Sequence, residues 1–158
     1  MGPRPWPPRA GPQGAEPYEG GAGWRMILGV QGREGEVPRV LLVEDHRVFS
    51  EALAFSLDRE PDLRVVGRTD SAAECRRYLS GGEGFDVAVV DLYLADGEGI
   101  GLIDEMRESC PGVPVVVLTI SVDPADHARA KQAGADEVLS KADDLDEIVA
   151  TIKRLGGG

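Results

Sequence analysis

The run Phe85-Asp86-Val87-Ala88-Val89-Val90-Asp91 constrains this chain more than any other stretch. Residues 87–90 are apolar without alternation, and the run closes on a carboxylate. A strand with one wet face alternates apolar and polar residues. A short β-rich run without alternation is what a strand covered on both faces shows, as in a parallel α/β sheet. Asp96-Gly97-Glu98-Gly99 then takes the chain off the sheet. Ligands of such sheets bind beyond the carboxyl ends of the strands, so Asp91 is the candidate reactive group.

With 158 residues the chain has room for one domain with a real core and not for two. Asp+Glu total 28 against 17 Lys+Arg, a formal net charge of −11. That charge repels phosphate backbones and anionic lipid, which argues against direct binding to nucleic acid or membrane. Cys75 and Cys110 lie far apart and form no CxxC pair, the pattern of two reduced thiols in a cytosolic protein. No run approaches the ~18 apolar residues of a membrane span. The N-terminus lacks the charged-then-apolar layout of a signal peptide, so no leader is expected.

Residues 1–38 differ in kind, holding seven of the 11 prolines and nine of the 21 glycines. Their only apolar cluster is Met26-Ile27-Leu28, and their four arginines and four glutamates cancel. Such a segment buries too little apolar surface to offset its ordering entropy and is expected to be a disordered Pro/Gly-rich extension. Pro5-Trp6-Pro7-Pro8 also suits an extended polyproline segment read by a partner. Val37 can be encoded by an alternative start codon, and Glu34-Gly35-Glu36 matches a translated purine-rich ribosome-binding site. On that hypothesis the extension is not native, and a peptide upstream of Val37 in cell extract would exclude it.

From Arg39 the pattern becomes regular. Val40-Leu41-Leu42-Val43 reads as a buried strand ending in Glu44-Asp45, followed by a helix over about 46–58 with Val48, Phe49, Ala52, Leu53 and Leu57 at helical spacing. Residues 63–67 form a second strand. Ser71-Ala72-Ala73-Glu74 is a capping box that starts a helix to about Ser80. After Asp91 come a loop and a helix with Ile100, Ile103 and Met106 on one face, stopped by Pro111-Gly112. Residues 113–118 make a fourth strand ending at Thr119. Asp123-Pro124 begins an alanine-rich helix over about 124–133, closed by Gly134. A short strand, 136–140, leads to Lys141. Asp144 then caps a last helix with Leu145, Ile148, Val149, Ile152 and Leu155 inward, ahead of a glycine tail at 156–158. Five strands alternating with five helices make a doubly wound α/β domain over 39–155.

Glu44-Asp45, Asp91, Thr119 and Lys141 all stand at strand carboxyl ends. In a parallel sheet these ends share one edge, so residues almost a hundred positions apart converge. Three carboxylates together need a cation, and an oxygen-only ligand set suits magnesium better than zinc. Lysine supplies a point charge for a phosphoryl group, and threonine a hydroxyl donor. The set suits phosphoryl transfer onto Asp91. Any one of these acids could instead be a helix cap or a solvated turn; it is their joint placement that favours the chemical reading.

Leu42-Val43-Glu44-Asp45-His46, Val90-Asp91-Leu92-Tyr93-Leu94 with Asp96-Gly97, Leu118-Thr119, and Gly134-Ala135 with Lys141 together resemble a two-component response-regulator receiver domain. His46 and the Lys141-Ala142-Asp143 ending are most similar to the NarL/LuxR type. The resemblance implies a flavodoxin/CheY-like five-stranded parallel sheet of order 2-1-3-4-5. It implies Mg2+ held by Glu44, Asp45, Asp91 and the Tyr93 backbone carbonyl. It implies that Asp91 takes a phosphoryl group from a histidine of a sensor histidine kinase, with Lys141 and Thr119 binding the phosphoryl oxygens. The output would pass to a downstream protein through the face of the fourth helix, fifth strand and fifth helix, with a homodimer also compatible. The covalent chemistry would be limited to self-phosphorylation and dephosphorylation.

Three positions depart from the family pattern. Val138 stands where an aromatic partner of the threonine is common, the large Ile120 follows Thr119 where a small residue is usual, and Ala95 replaces a common proline. Tyr93 is expected to stand beside the path of the hydrolytic water and lengthen the phosphorylated lifetime; an unchanged dephosphorylation rate in Tyr93→Asn would refute this.

Other chemistries fit less well. In Gly97-Glu98-Gly99-Ile100-Gly101 the third glycine comes one position too early for a dinucleotide loop. A phosphatase with an aspartate nucleophile would want an acid where Tyr93 stands. His46 and His127 are too few and too separated for a metal site. Two further readings of the output stay open: the receiver portion of a DNA-binding NarL/LuxR-type regulator without its helix-turn-helix domain, and a pseudo-receiver that binds partners without phosphorylation.

Overall fold

The computed structural model describes residues 37–157. The expected extension lies outside them, apart from Val37 and Pro38. Pro38 already belongs to the folded unit, since its carbonyl accepts the Arg64 N–H at 3.0 Å. The sheet strands are β1 (Arg39–Val43), β2 (Arg64–Thr69), β3 (Val87–Asp91), β4 (Val115–Thr119) and β5 (Glu137–Ser140). They alternate with α1 (Arg47–Asp58), α2 (Ala72–Ser80), α3 (Gly99–Ser109), α4 (Pro124–Ala133) and α5 (Leu145–Gly157). All pairings within this five-stranded sheet are parallel, in the order β2-β1-β3-β4-β5, as the sequence leads one to expect.

The unalternating apolar runs have the predicted cause. In β3, Val87 and Val89 pack with Val40, Leu42, Val116 and Leu118 under α1 and α5. Ala88 and Val90 point the other way, into the layer formed with α2 and α3. Every residue of β3 and of β4 is buried. Burying a valine-sized side chain is worth ~1.5–3 kcal/mol, so these two strands hold the layers together.

The sequence and the structure differ at the edges. β2 runs on to Thr69, because Arg68 and Thr69 continue the ladder with Leu42 and Val43 past a bulge opposite Val40/Leu41. An edge strand needs little apolar sequence where its outer side is wet, so its polar end gave no periodic signal. The loop after Asp91 contains a small antiparallel hairpin, Tyr93–Leu94 with Gly97–Glu98. On α1, Val48 and Phe55 are exposed, at 78% and 65%, while Leu53, Ala54 and Leu57 face the core. The terminal glycines do not all form a tail. α5 continues through Gly157, with Gly156 packed so closely that an added Cβ would stand 2.9 Å from Val87 Cγ1.

The caps are local and legible. Ser71 Oγ accepts the Glu74 N–H at 3.0 Å, and Glu74 Oε1 accepts the Asp70 N–H at 2.8 Å. Asp123 accepts from Ala125 ahead of α4, and Gly134 ends α4 at φ +119°, in the left-handed region. Asp144 Oδ1 accepts the Asp146 N–H at the start of α5. Among α4 residues only Ala130 is fully buried. No helix among the described residues is long and apolar enough to cross a membrane.

Candidate functional site

Strand register builds the site. Val43 pairs with Val90, which brings Glu44 level with Asp91. Asp91 pairs with Leu118 and Thr119 with Ser140, so Thr119 and Lys141 each follow one residue later along the same edge. The Lys141 N–H donates to the Thr119 carbonyl at 2.9 Å, which fixes where the lysine leaves the sheet.

The Lys141 ammonium then reaches back across the edge. It donates to Glu44 Oε2 at 2.8 Å and to Asp91 Oδ2 at 2.9 Å, with Phe49 lying 5.2 Å from Nζ on its other side. The three charged side chains are 8%, 1% and 7% exposed, so water screens them little. Burial pushes the Glu44 carboxyl up to about 7; the Lys141 hydrogen bond pulls it down and the Asp91 charge pushes it up again. Burial alone would lower the Lys141 ammonium, but its bonds to Glu44 and Asp91 outweigh that and hold it above its ordinary value.

The carboxylates are only partly satisfied. Glu44 Oε2 also accepts the His46 N–H at 2.9 Å, whereas Glu44 Oε1 is buried without a hydrogen-bond partner. Asp91 Oδ1 accepts the Tyr93 N–H at 3.2 Å. One oxygen each from Glu44, the half-buried Asp45 and Asp91 lies within 4.8 Å of the other two. A buried, unpaired acceptor costs about 1–3 kcal/mol, more when charged. Three neighbouring carboxyl groups with one ammonium between two of them suit a hard, oxygen-binding cation, so the residues present fit Mg2+. Thr119 is buried beside them, its Oγ1 accepting the Ser121 N–H at 3.0 Å.

The departures can be located too. Ile120 is 75% exposed, while Val138 is partly buried against the core layer of α2 and α3. His46 stands exposed at the N-cap position of α1 without a side-chain capping bond, and His127 Nε2 lies 2.9 Å from the Ser121 carbonyl; neither imidazole belongs to a group of candidate metal ligands among the described residues.

The roles of four residues around the site were not read from the sequence. Asp96 accepts the Ala72 and Ala73 N–H groups at 2.8 and 3.1 Å, so the loop after β3 caps α2. Those two bonds hold its carboxyl below the usual carboxylate range. Gly99 sits where an added Cβ would run into the Asp91 carbonyl oxygen. Ser121 and Asp126 join α4 to the loops flanking the site. Asp96-Gly97 was visible as a turn, but which helix it would cap was not.

A parallel five-stranded sheet with acids, threonine and lysine on one edge defines a class, and comparison with known proteins identifies it. The family model for the response regulator receiver domain matches residues 40–153. The chain belongs to that family and is the receiver domain of a two-component response regulator. It is 32% identical over 119 residues to the transcriptional regulatory protein UhpA of Salmonella typhimurium, covering 75% of this chain and 59% of that protein. A protein-glutamate methylesterase/protein-glutamine glutaminase of Cereibacter sphaeroides is 34% identical over 116 residues, or 73% of this chain and 31% of that protein. The chain thus spans about a third to three-fifths of these curated relatives. The signal receiver domain of NarL from Mycobacterium tuberculosis superposes with a TM-score of 0.72 at 26% identity, over 78% of this chain and 98% of that domain. Receivers of the NarL/LuxR type are therefore its structural neighbours.

Proposed function

We propose that this receiver is the phosphoacceptor of a two-component phosphorelay, with Asp91 as the acceptor. A carboxylate oxygen of Asp91 attacks the phosphorus of a phosphohistidine on a sensor histidine kinase. The P–N bond breaks, its electron pair returns to the imidazole, and an acyl phosphate forms. Mg2+ held by Glu44, Asp45, Asp91 and the Tyr93 backbone carbonyl would supply charge neutralisation for the phosphoryl oxygens. Lys141 turns its ammonium, now on Asp91 Oδ2, to one phosphoryl oxygen, and the Thr119 hydroxyl donates to another.

One observation carries this reading. A single buried ammonium is shared between Glu44 and Asp91 while Glu44 Oε1 has no partner, so the edge is one cation short. Added phosphoryl charge then favours repositioning of Thr119 and of α4, which buries little and costs little to move. The face of α4, β5 and α5 carries the output to a downstream protein or to a second copy. The setting is cytoplasmic, and the chain's covalent chemistry is confined to its own phosphorylation and dephosphorylation. The second reading, the receiver portion of a DNA-binding regulator, is favoured by the similarity to UhpA over just over half of its length.

The test adds Mg2+ with acetyl phosphate or beryllofluoride and follows mass and amide spectra. A phosphoryl adduct, and a spectral shift absent in Asp91→Asn, are expected. No response in the wild type would leave a pseudo-receiver that binds partners unmodified.

A further inference from the structure

A second network runs above the site. The Tyr93 hydroxyl donates to Asp126 Oδ1 on α4 at 2.8 Å. The other oxygen of Asp126 accepts from Ser121 Oγ at 2.6 Å, and Arg129 Nη1 donates to Oδ1 at 3.3 Å. Ser121 N–H in turn donates to Thr119 Oγ1, while Tyr93 N–H donates to Asp91 Oδ1. The circuit Asp91–Tyr93–Asp126–Ser121–Thr119 therefore begins on the reacting carboxylate and ends on the hydroxyl that would meet the phosphoryl group.

The geometry gives the tyrosine its place. Its backbone leaves Asp91 on the β3 side, and its hydroxyl ends on the first turn of α4, on the β4 side. The ring must span the gap between the two loops, along the edge where Asp91 and Thr119 lie. Tyr93 is 43% exposed, so it forms an outer wall and not part of the core. Ala130 is the only fully buried residue of α4, so little apolar packing opposes its movement.

We infer that Asp126 is a positioning residue that holds the Tyr93 phenol across the mouth of the Asp91 site and ties this lid to the position of α4. The inference rests on the phosphoacceptor reading. Hydrolysis of the acyl phosphate needs a water to attack phosphorus, breaking the P–O bond to Asp91 and releasing inorganic phosphate with the carboxylate restored. Small phosphodonors and that water enter past the same ring. With the latch closed, both slow; when α4 moves away, the ring is freed and both quicken. Position of the output helix and lifetime of the modification become one equilibrium.

The experiment measures loading by acetyl phosphate with Mg2+ and the subsequent dephosphorylation rate in wild type, Tyr93→Phe, Asp126→Ala and the double variant. Tyr93→Phe keeps the ring and removes only the latch. Each single variant is expected to quicken both steps about fivefold, the ratio that corresponds to one net hydrogen bond. In the Tyr93→Phe background Asp126→Ala should add much less than it does in the wild type, because the phenol is already released and only the Ser121 and Arg129 contacts of Asp126 remain to be lost. Unchanged rates in the singles, or effects that multiply in the double, overturn the inference. If the wild type takes up no phosphoryl group, the proposed function is what fails, and amide exchange across residues 125–130 then decides the latch. Faster exchange in Tyr93→Phe supports it, and identical protection overturns it.

Discussion

Lys141 and Glu44 are 97 positions apart in the chain and 2.8 Å apart in the fold, and the same ammonium holds Asp91 at 2.9 Å. The lysine is thus the internal counter-ion of the acidic edge. Removing it would leave buried carboxyl groups without their partner.

Lys141→Met is therefore expected to destabilise the metal-free protein at pH 8 by about 3 kcal/mol, the cost of breaking a buried ion pair. At pH 5 the loss should be smaller, since Glu44 can then take up a proton. Urea unfolding at both pH values checks this, and an equal loss at pH 5 and pH 8 would count against Glu44 as the affected group.

On the proposal that Glu44 helps hold Mg2+, its raised carboxyl makes cation binding depend on pH. With a folded-state value of about 7 against an ordinary 4.5, its contribution to stability is present below 4.5 and is lost as pH rises towards 7 in the absence of a cation. Mg2+ needs the carboxylate, so its affinity should be about tenfold weaker at pH 6 than at pH 8. Calorimetric titration at the two pH values tests it; equal affinities would show that Glu44 is not a ligand.

Two glycines of α3 should respond oppositely to alanine. At Gly99 a Cβ meets the Asp91 carbonyl oxygen and Val90 Cγ1, whereas at Gly101 nothing lies within 4 Å. Gly99→Ala is expected to cost about 1–3 kcal/mol and to displace Asp91, lowering its phosphorylation. Gly101→Ala should stabilise by about 0.5–1 kcal/mol through helix propensity. Thermal melts of both separate a general helix effect from the close approach to Asp91.

Burial pushes the Cys75 thiol up to about 12 and the Cys110 thiol up to about 11, from an ordinary 9.0. Neither forms appreciable thiolate at pH 8, so iodoacetamide should leave the native protein unmodified and label both sites once urea unfolds it. The unfolded thiols ionise first as pH rises through 9, so these two groups also make the fold less stable between about pH 9 and 12. A labelled native protein at pH 8 would place one of the thiols within reach of solvent.

The sequence by itself determined what repeats locally. Residues 87–90 read as a doubly covered strand because each face of β3 meets its own apolar layer. Ser71 and Gly134 marked helix ends because their capping bonds close within a few residues. The convergence of Glu44, Asp45, Asp91, Thr119 and Lys141 was also legible, since parallel strands must end on one edge. Tertiary structure alone decided where polar groups found partners across the fold. The Asp96 bonds to α2, the Asp126 bond to Tyr93 and the last polar residues of β2 join segments distant in sequence, and the Gly99 approach to Asp91 depends on how the intervening loop folds back. Periodicity records the face that an apolar side chain must turn to the core. A hydrogen bond or a missing Cβ depends instead on which neighbour packing brings within about 3 Å, and nothing in the local chain records that.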